Sequence, residues 1–385
     1  MAPHDLSSFD LSDKPFINLG LDGIVAFSTK KSFIDGQKGE LIYAGYNIDT
    51  LAEYATFEEV CFLLWNDRLP TQHELDELNN ALLAERTLPQ AVVSFIQTCD
   101  KDAEPMGVLR SAVSMLSEHD GHDIADTQAA TISMTAKMPA MIAAFDRVRR
   151  GLEIVSPLSS GSTAENFLYM LNGEAPGAAA IKTMDLCLIL HAEHGMNAST
   201  FVARSIASTM SDIYSAVTGA IGSLKGPLHG GANTAVMNML LEMQAKGDDL
   251  DPVEEVKGKL ARKEKIMGFG HRVYKTLDPR AVHLQKMSKQ LSEETGHMKL
   301  YEWSVAMLET MKSEKNIDAN VDFFSATVYY SIGIQPDLYT CIFAMSRVSG
   351  WTAHFMEQSD NNRLIRPRAM YIADKNLDWT PIEQR

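Results

Sequence analysis

From Leu51 to about residue 358 one pattern recurs along the chain: apolar residues three and four positions apart, interrupted by short polar or Gly/Pro punctuation. In Phe57 to Trp65, for example, Phe57, Val60, Cys61 and Leu64 fall at i, i+3, i+4 and i+7, the stripe that one face of an α-helix turns toward a core. Pro70 closes that segment. The same period returns over 106–117, 127–150, 164–172, 179–194, 199–224, 232–246, 252–264, 280–295, 299–313, 322–332 and 337–358. It predicts a protein that is almost entirely α-helical. The one clear strand signal lies in 24–46, where β-branched and aromatic runs flank Asp35-Gly36-Gln37-Lys38-Gly39, a loop suited to a hairpin. Segment 199–224, rich in Ala, Ser, Thr and Gly, permits close helix approach and is expected near the centre.

A chain of 385 residues exceeds one ordinary core, so two domains, or one with a large insertion, are expected, with a cleft between them. No repeat, low-complexity tract or Ser/Gly linker marks a boundary. The net charge of −15 disfavours nucleic acid and anionic membranes as partners, and an anionic ligand would need a local cluster of arginines. Cys61, Cys99, Cys187 and Cys341 lie far apart with no CxxC pair, which reads as free, mostly buried thiols. MAPHDLSSFDLSDKPF lacks the basic start and apolar core of a leader, and no apolar run reaches membrane-spanning length. A cytoplasmic enzyme is the expectation. The charged stretch Gly247 to Lys265 reads as a solvated helix.

Several residues could carry chemistry. Gly226-Pro227-Leu228-His229-Gly230-Gly231 sets a histidine in a glycine-rich loop between helices, where a substrate can approach the backbone, although a lone loop histidine is often only solvated. Gly268-Phe269-Gly270-His271 repeats the arrangement some forty residues on; it lacks the third glycine and the preceding strand of a dinucleotide fingerprint. Arg280 in Asp278-Pro279-Arg280, Arg347, and Arg366 in Ile365-Arg366-Pro367-Arg368 would suit a dicarboxylate if they converged, because each guanidinium can hold a carboxylate by two parallel hydrogen bonds. Asp322 precedes an apolar helical run and could equally be an N-cap or a first-turn acid stabilised by the helix dipole. His191 and His194 fall at i, i+3 on one helical face, but no third ligand at familiar spacing follows, so no metal is expected.

Taken in order, GPLHGGAN, MGFGHRVYK with DPR, NVDFFSA, and SRVSGW followed by IRPRAM resemble the citrate synthase family. IDGQKGELIYAGY and LHAEHGMNAST look like further landmarks, and the likeness covers nearly the whole chain. It implies an all-α, two-domain helical fold with one short β-hairpin near the N-terminus: a small domain, 231–333, inserted between the parts of a large one, 1–230 and 334–385. The implied active site lies in the cleft and is completed by domain closure. By resemblance, Asp322 is the base that takes a proton from the acetyl methyl, His229 donates to the thioester oxygen, and His271 polarises the ketone of oxaloacetate.

The same likeness gives His194 the task of orienting oxaloacetate, and Arg280, Arg347 and Arg366 its carboxylates, with Arg366 supplied by the partner in a homodimer. Coenzyme A would lie along Lys265, Ile266, Met267, Gly268, Phe269 and Gly270, with Lys265, Arg272 or Lys275 meeting phosphates. No metal or redox cofactor is implied, since the coenzyme A thioester is a substrate. The implied reaction is a Claisen-type condensation of acetyl-CoA with oxaloacetate at the entry to the tricarboxylic acid cycle. A related activity, 2-methylcitrate synthase, looks the same at every catalytic position but accepts propionyl-CoA; one methylene is worth only about 1–3 kcal/mol in an apolar pocket, and many sequences that resemble 2-methylcitrate synthases have tyrosine at the position of His191. A catalytically silent acyl-CoA-binding protein is the alternative from another class, against which the intact His229, His271 and Asp322 argue. The chain looks too short for the extra N-terminal region of NADH-inhibited relatives, so no NADH site is expected.

Overall fold

The computed structural model describes residues 17–385 apart from 22, 248 and 272; the stretch inspected for a leader and Arg272 lie outside the described residues. Two compact units are formed: Lys30–Leu364, and a small unit of the two ends, Met1–Thr29 and Ile365–Arg385. The larger unit opens with an antiparallel sheet of β1 (Ser32–Asp35), β2 (Glu40–Tyr43) and β3 (Tyr46–Asn47), with Ser32 opposite Tyr43 and Asp35 opposite Glu40. Asp35 Oδ1 accepts the N–H groups of Gln37 and Lys38, both at 3.0 Å, which closes the expected hairpin turn.

Helices follow: α1 (Ile48–Tyr54), α2 (Phe57–Asn66), α3 (Gln72–Ala84), α4 (Gln90–Thr98), α5 (Pro105–His119), α6 (Thr127–Arg149), α7 (Thr163–Asn172) and α8 (Ala178–His191). The next are α9 (Ala198–Ala207), α10 (Ile213–Leu224), α11 (Ala232–Ala245), α12 (Pro252–Ala261), α13 (Pro279–Thr295), α14 (Met298–Lys315), α15 (Val321–Ser331) and α16 (Tyr339–Asp360). Local signals set many of the ends. Thr56 with Glu59, and Thr71 with Glu74, form capping boxes that satisfy the first turns of α2 and α3.

The structure departs from the sequence reading in three places. Segment 199–224 is two helices, because Met210 turns to φ 64° and Asp212 caps a new start, its side chain accepting the N–H of Ser215; apolar periodicity alone does not register such a break. α3 and α4 were not singled out by the periodicity. α8 ends at His191, so His191 and His194 do not share a helical face.

Two helices are buried along almost their whole length, α6 and α16, and an all-round buried helix belongs at the centre of a core. α16 packs on α2, α6, α8, α9 and α10, while α11 and α13 pack chiefly on α15, and α12 on α14. Cys61, Cys187 and Cys341 are buried and Cys99 half-buried, all as free thiols. No described helix is long and apolar enough to cross a membrane.

Candidate active site

Four structural elements converge. The loop after α8 carries His194, and the hairpin fixes its backbone on both sides: Tyr43 donates its hydroxyl to Glu193 O at 2.6 Å, and Ser32 Oγ accepts the N–H of Gly195 at 3.1 Å. The loop between α10 and α11 carries His229. Gly230 follows it, where a Cβ would lie 2.3 Å from Leu224 O, so only glycine closes this turn.

The third element is the stretch 266–278, which pairs with the entry to α15. Gly270 N–H donates to Asp318 O at 3.0 Å, Asn320 N–H to Gly268 O at 2.9 Å, and Asn320 Nδ2 to Gly270 O at 3.0 Å. This holds the loop that leads into His271 against the entry of the helix that carries Asp322. Asn320, not Asp322, caps α15, its side-chain oxygen accepting the N–H of Asp322 at 3.0 Å, so Asp322 is not the cap, although it does stand in the first turn, where the helix dipole favours an acid. The fourth element is α16, which contributes Arg347.

His194 and His271 lie edge to face with ring centroids 5.3 Å apart. Arg280 is buried and grips Asp278 through Nε at 3.0 Å and Nη2 at 2.8 Å, while Asp278 Oδ2 also accepts the N–H of Val321. Arg347 is buried too: its Nε donates to His191 O at 2.7 Å, its guanidinium lies 4.6 Å from the Phe343 ring centroid, and its Nη2 has no partner among the described residues. A buried guanidinium nitrogen without an acceptor is costly unless a ligand satisfies it. Burial pushes the Arg347 pKa down to about 10, which still leaves it charged at neutral pH.

The titratable groups are tuned in opposite directions. Burial raises Asp322 to about 6, against the pull of Arg280 and Arg347. Burial, aided by Arg280, lowers His271 to about 4; burial, aided by Arg347, does the same for His229; and His194 is held well below its ordinary value by burial and both arginines. The site therefore holds one carboxylate ready to take a proton near neutrality and three neutral imidazoles, the division of labour that acid–base chemistry at one carbon centre needs.

The hydrogen bonds also assign the protons. His271 Nδ1 accepts the N–H groups of Val273 at 3.0 Å and Tyr274 at 3.1 Å, so its proton lies on Nε2. His229 Nε2 accepts the N–H of Ser199 at 3.3 Å and lies 2.8 Å from Ser199 Oγ, which puts its proton on Nδ1. Each ring thus presents a donor away from its anchor.

Sequence reasoning passed over the supports. Ser199 is held in turn by Trp351 Nε1 at 3.1 Å, and Glu193 meets His354 Nε2 at 3.1 Å in full burial. Phe343 lies between Arg347, His191 at 5.1 Å and His229 at 6.5 Å. Tyr274 stood inside a quoted motif without a task. Of the residues expected to read coenzyme A, Lys265 and Lys275 are exposed, Ile266 is buried, Met267 and Phe269 pack against the core, and Gly268 O with both backbone groups of Gly270 is already engaged by 318–320. Arg366 is exposed in the smaller unit.

A second polar cluster, Glu85, Asp120 and His122, has metal-like spacing. Lys137 Nζ already lies within it, 2.5 Å from Glu85 and 2.9 Å from Asp120, and serves as the cation.

Residues 20–368 match the family model described as "Citrate synthase, C-terminal domain". Citrate synthase 2 of Bacillus subtilis is 50% identical over 95% of this chain and 98% of its own length. A 2-methylcitrate synthase of Shewanella oneidensis is 42% identical over 97% and 99%. The structure of citrate synthase from Thermoplasma acidophilum in ternary complex with carboxymethyl coenzyme A and oxaloacetate superposes with a TM-score of 0.89 at 34% identity, covering 96% of this chain and all of that one.

Proposed function

The chain belongs to the citrate synthase family, and on that premise we propose that Asp322, His229 and His271 condense acetyl-CoA with oxaloacetate, after which the citryl thioester is hydrolysed to citrate and coenzyme A. It is an acyltransferase. The observation that carries the residue assignment is the pairing of a carboxylate raised to about 6 with three neutral imidazoles beside two buried arginines.

Asp322 removes a proton from the acetyl methyl. The negative charge that develops moves to the thioester oxygen, where His229 Nδ1–H receives it, anchored from behind by Ser199. The enolate carbon attacks the ketone of oxaloacetate, whose oxygen is polarised by His271 Nε2–H and takes that proton as the π electrons shift onto it. Arg280 and Arg347 hold the carboxylates, Arg347 through its unpartnered Nη2, and His194 orients the same molecule. Water enters only for thioester hydrolysis, and the steps require no metal or redox cofactor.

Further parts of the reading concern assembly. Residues 231–333, whose helices pack chiefly on one another, act as a small domain that closes over bound oxaloacetate. The enzyme is a homodimer in which Arg366 completes the partner's site. In support, the smaller unit leaves Tyr371, Ile372, Leu377 and Trp379 exposed, apolar area that a second copy would cover. Lys265 and Lys275 meet coenzyme A phosphates, which suits their exposure. A cytoplasmic enzyme at the entry to the tricarboxylic acid cycle fits four free thiols and the absence, among the described residues, of a membrane-spanning helix.

The test is thiol release with oxaloacetate and either acetyl- or propionyl-CoA. A higher kcat/KM for acetyl-CoA supports the reading; a higher value for propionyl-CoA replaces it with 2-methylcitrate synthesis; silence with both leaves a binding protein.

A further inference from the structure

Tyr274 is buried, 3% exposed, and touches both histidines that face the arginine pair. Its ring centroid lies 4.7 Å from that of His271 and 5.5 Å from that of His194. Its backbone N–H donates to His271 Nδ1, and its hydroxyl is 3.2 Å from His194 Nε2. The hairpin clamps the backbone on either side: Lys275 N–H donates to Gly36 O at 2.8 Å, and Val273 O approaches Gly36 so closely that a Cβ there would lie 2.3 Å away. The phenol is therefore held in place rather than free to turn to solvent.

We infer that Tyr274 is a positioning residue for oxaloacetate, its hydroxyl donating to His194 Nε2 and so confining the His194 proton to Nδ1, the ring atom left to meet the substrate. The inference rests on the reaction proposed above. A neutral imidazole carries one N–H and one lone pair, and only the neighbour of one nitrogen decides which the other presents. A lone pair turned toward a dicarboxylate would repel it, whereas an N–H would bind it. Burial and the two arginines keep His194 neutral, and burial pushes the Tyr274 pKa above its ordinary value, so the phenol retains its proton to give. Tyr274 thereby bears on two tautomers in opposite senses: its backbone N–H, together with that of Val273, leaves His271 with the proton on Nε2, and its side chain leaves His194 with the proton on Nδ1.

The test is Tyr274→Phe in the full-length enzyme, which keeps the ring contacts and removes one oxygen; its thermal midpoint verifies that the variant folds. With histidines labelled by ¹⁵N and His194 assigned through His194→Asn, the wild type is expected to show His194 as the Nδ1–H tautomer and the variant a mixture of tautomers. KM for oxaloacetate is expected to rise about tenfold, the order of one lost hydrogen bond, while KM for acetyl-CoA changes by less than about twofold. A role in packing alone would lower the midpoint without moving the tautomer. An unchanged His194 tautomer overturns the inference whatever happens to KM, and so does an unchanged KM for oxaloacetate. If the wild type itself releases no thiol, the reaction fails first, without reference to any variant, and the inference about substrate falls with it.

Discussion

Gly350 of α16 lies so close to Glu193 that a methyl group on its Cα would be 2.5 Å from Glu193 Oε2 and 2.4 Å from Ala192 O. The second contact is with backbone, which cannot swing aside, and Glu193 is the residue immediately before His194. Gly350→Ala must therefore push the His194 loop away from α16. Overpacking of this kind costs about 1–3 kcal/mol, readable as a lower urea midpoint. A rise in KM for oxaloacetate should accompany it, because the displaced backbone carries His194; an unchanged midpoint would show that the loop yields freely.

Asp322 must be ionised to act as a base, and its pKa is raised to about 6. The rate with acetyl-CoA is expected to fall about tenfold per pH unit below that value, and Asp322→Asn to lose at least about a thousandfold in kcat. The same shift has a stability consequence of opposite sign. The folded state binds the Asp322 proton more tightly than the unfolded chain does, so the ionised side chain destabilises the fold above pH 6 and the penalty fades as pH falls from 6 toward 4. Asp322→Asn should then melt higher than wild type at pH 8 and level with it near pH 4. Equal melting at both pH values would refute the raised pKa.

Ser199 Oγ lies 2.8 Å from His229 Nε2, and the Ser199 backbone N–H donates to the same atom. Ser199→Ala removes one support and keeps the other, so kcat should drop about tenfold with little change in KM for oxaloacetate. Trp351→Phe, which loses the bond to Ser199 Oγ, should give a smaller loss in the same direction. Steady-state kinetics on both variants checks the order.

Lys137 is buried between Glu85 and Asp120, with Ser133 Oγ at 2.6 Å. Lys137→Met leaves two carboxylates without their cation and should cost about 3–5 kcal/mol in chemical denaturation. Because the ammonium already fills the position, manganese or zinc should not raise the wild-type thermal midpoint, and a clear rise would show that the carboxylates prefer a metal.

Much of the helical order was legible because burial imposes its period directly on the residue order. α2, α5, α7, α11, α13 and α15 appear within one or two residues of where their apolar stripes fall. Periodicity was silent on the break at Met210, since it registers the spacing of apolar residues and not the backbone angle at a single one, and on α3, whose exposed length keeps only Leu78 and Leu82 buried. The site divides in the same way. His229, His271 and Asp322 stand in glycine-rich or helix-entry motifs that residue order displays, and the likeness to a family gives them roles.

Residue order alone decides which groups are available: a histidine in each of two glycine loops, an acid at a helix entry, arginines in an acidic chain. What each group does depends on atoms brought in from far along the chain, and those only the folded structure supplies. Ser199 chooses the protonated nitrogen of His229 from thirty residues away, the hairpin sets the loop of His194 from a separation of more than 140, and burial, aided by Arg280 and Arg347, holds His194 neutral. Tautomer and charge are properties of distance and burial, and neither is written in the order of residues until the fold brings those atoms within about 3 Å of one another.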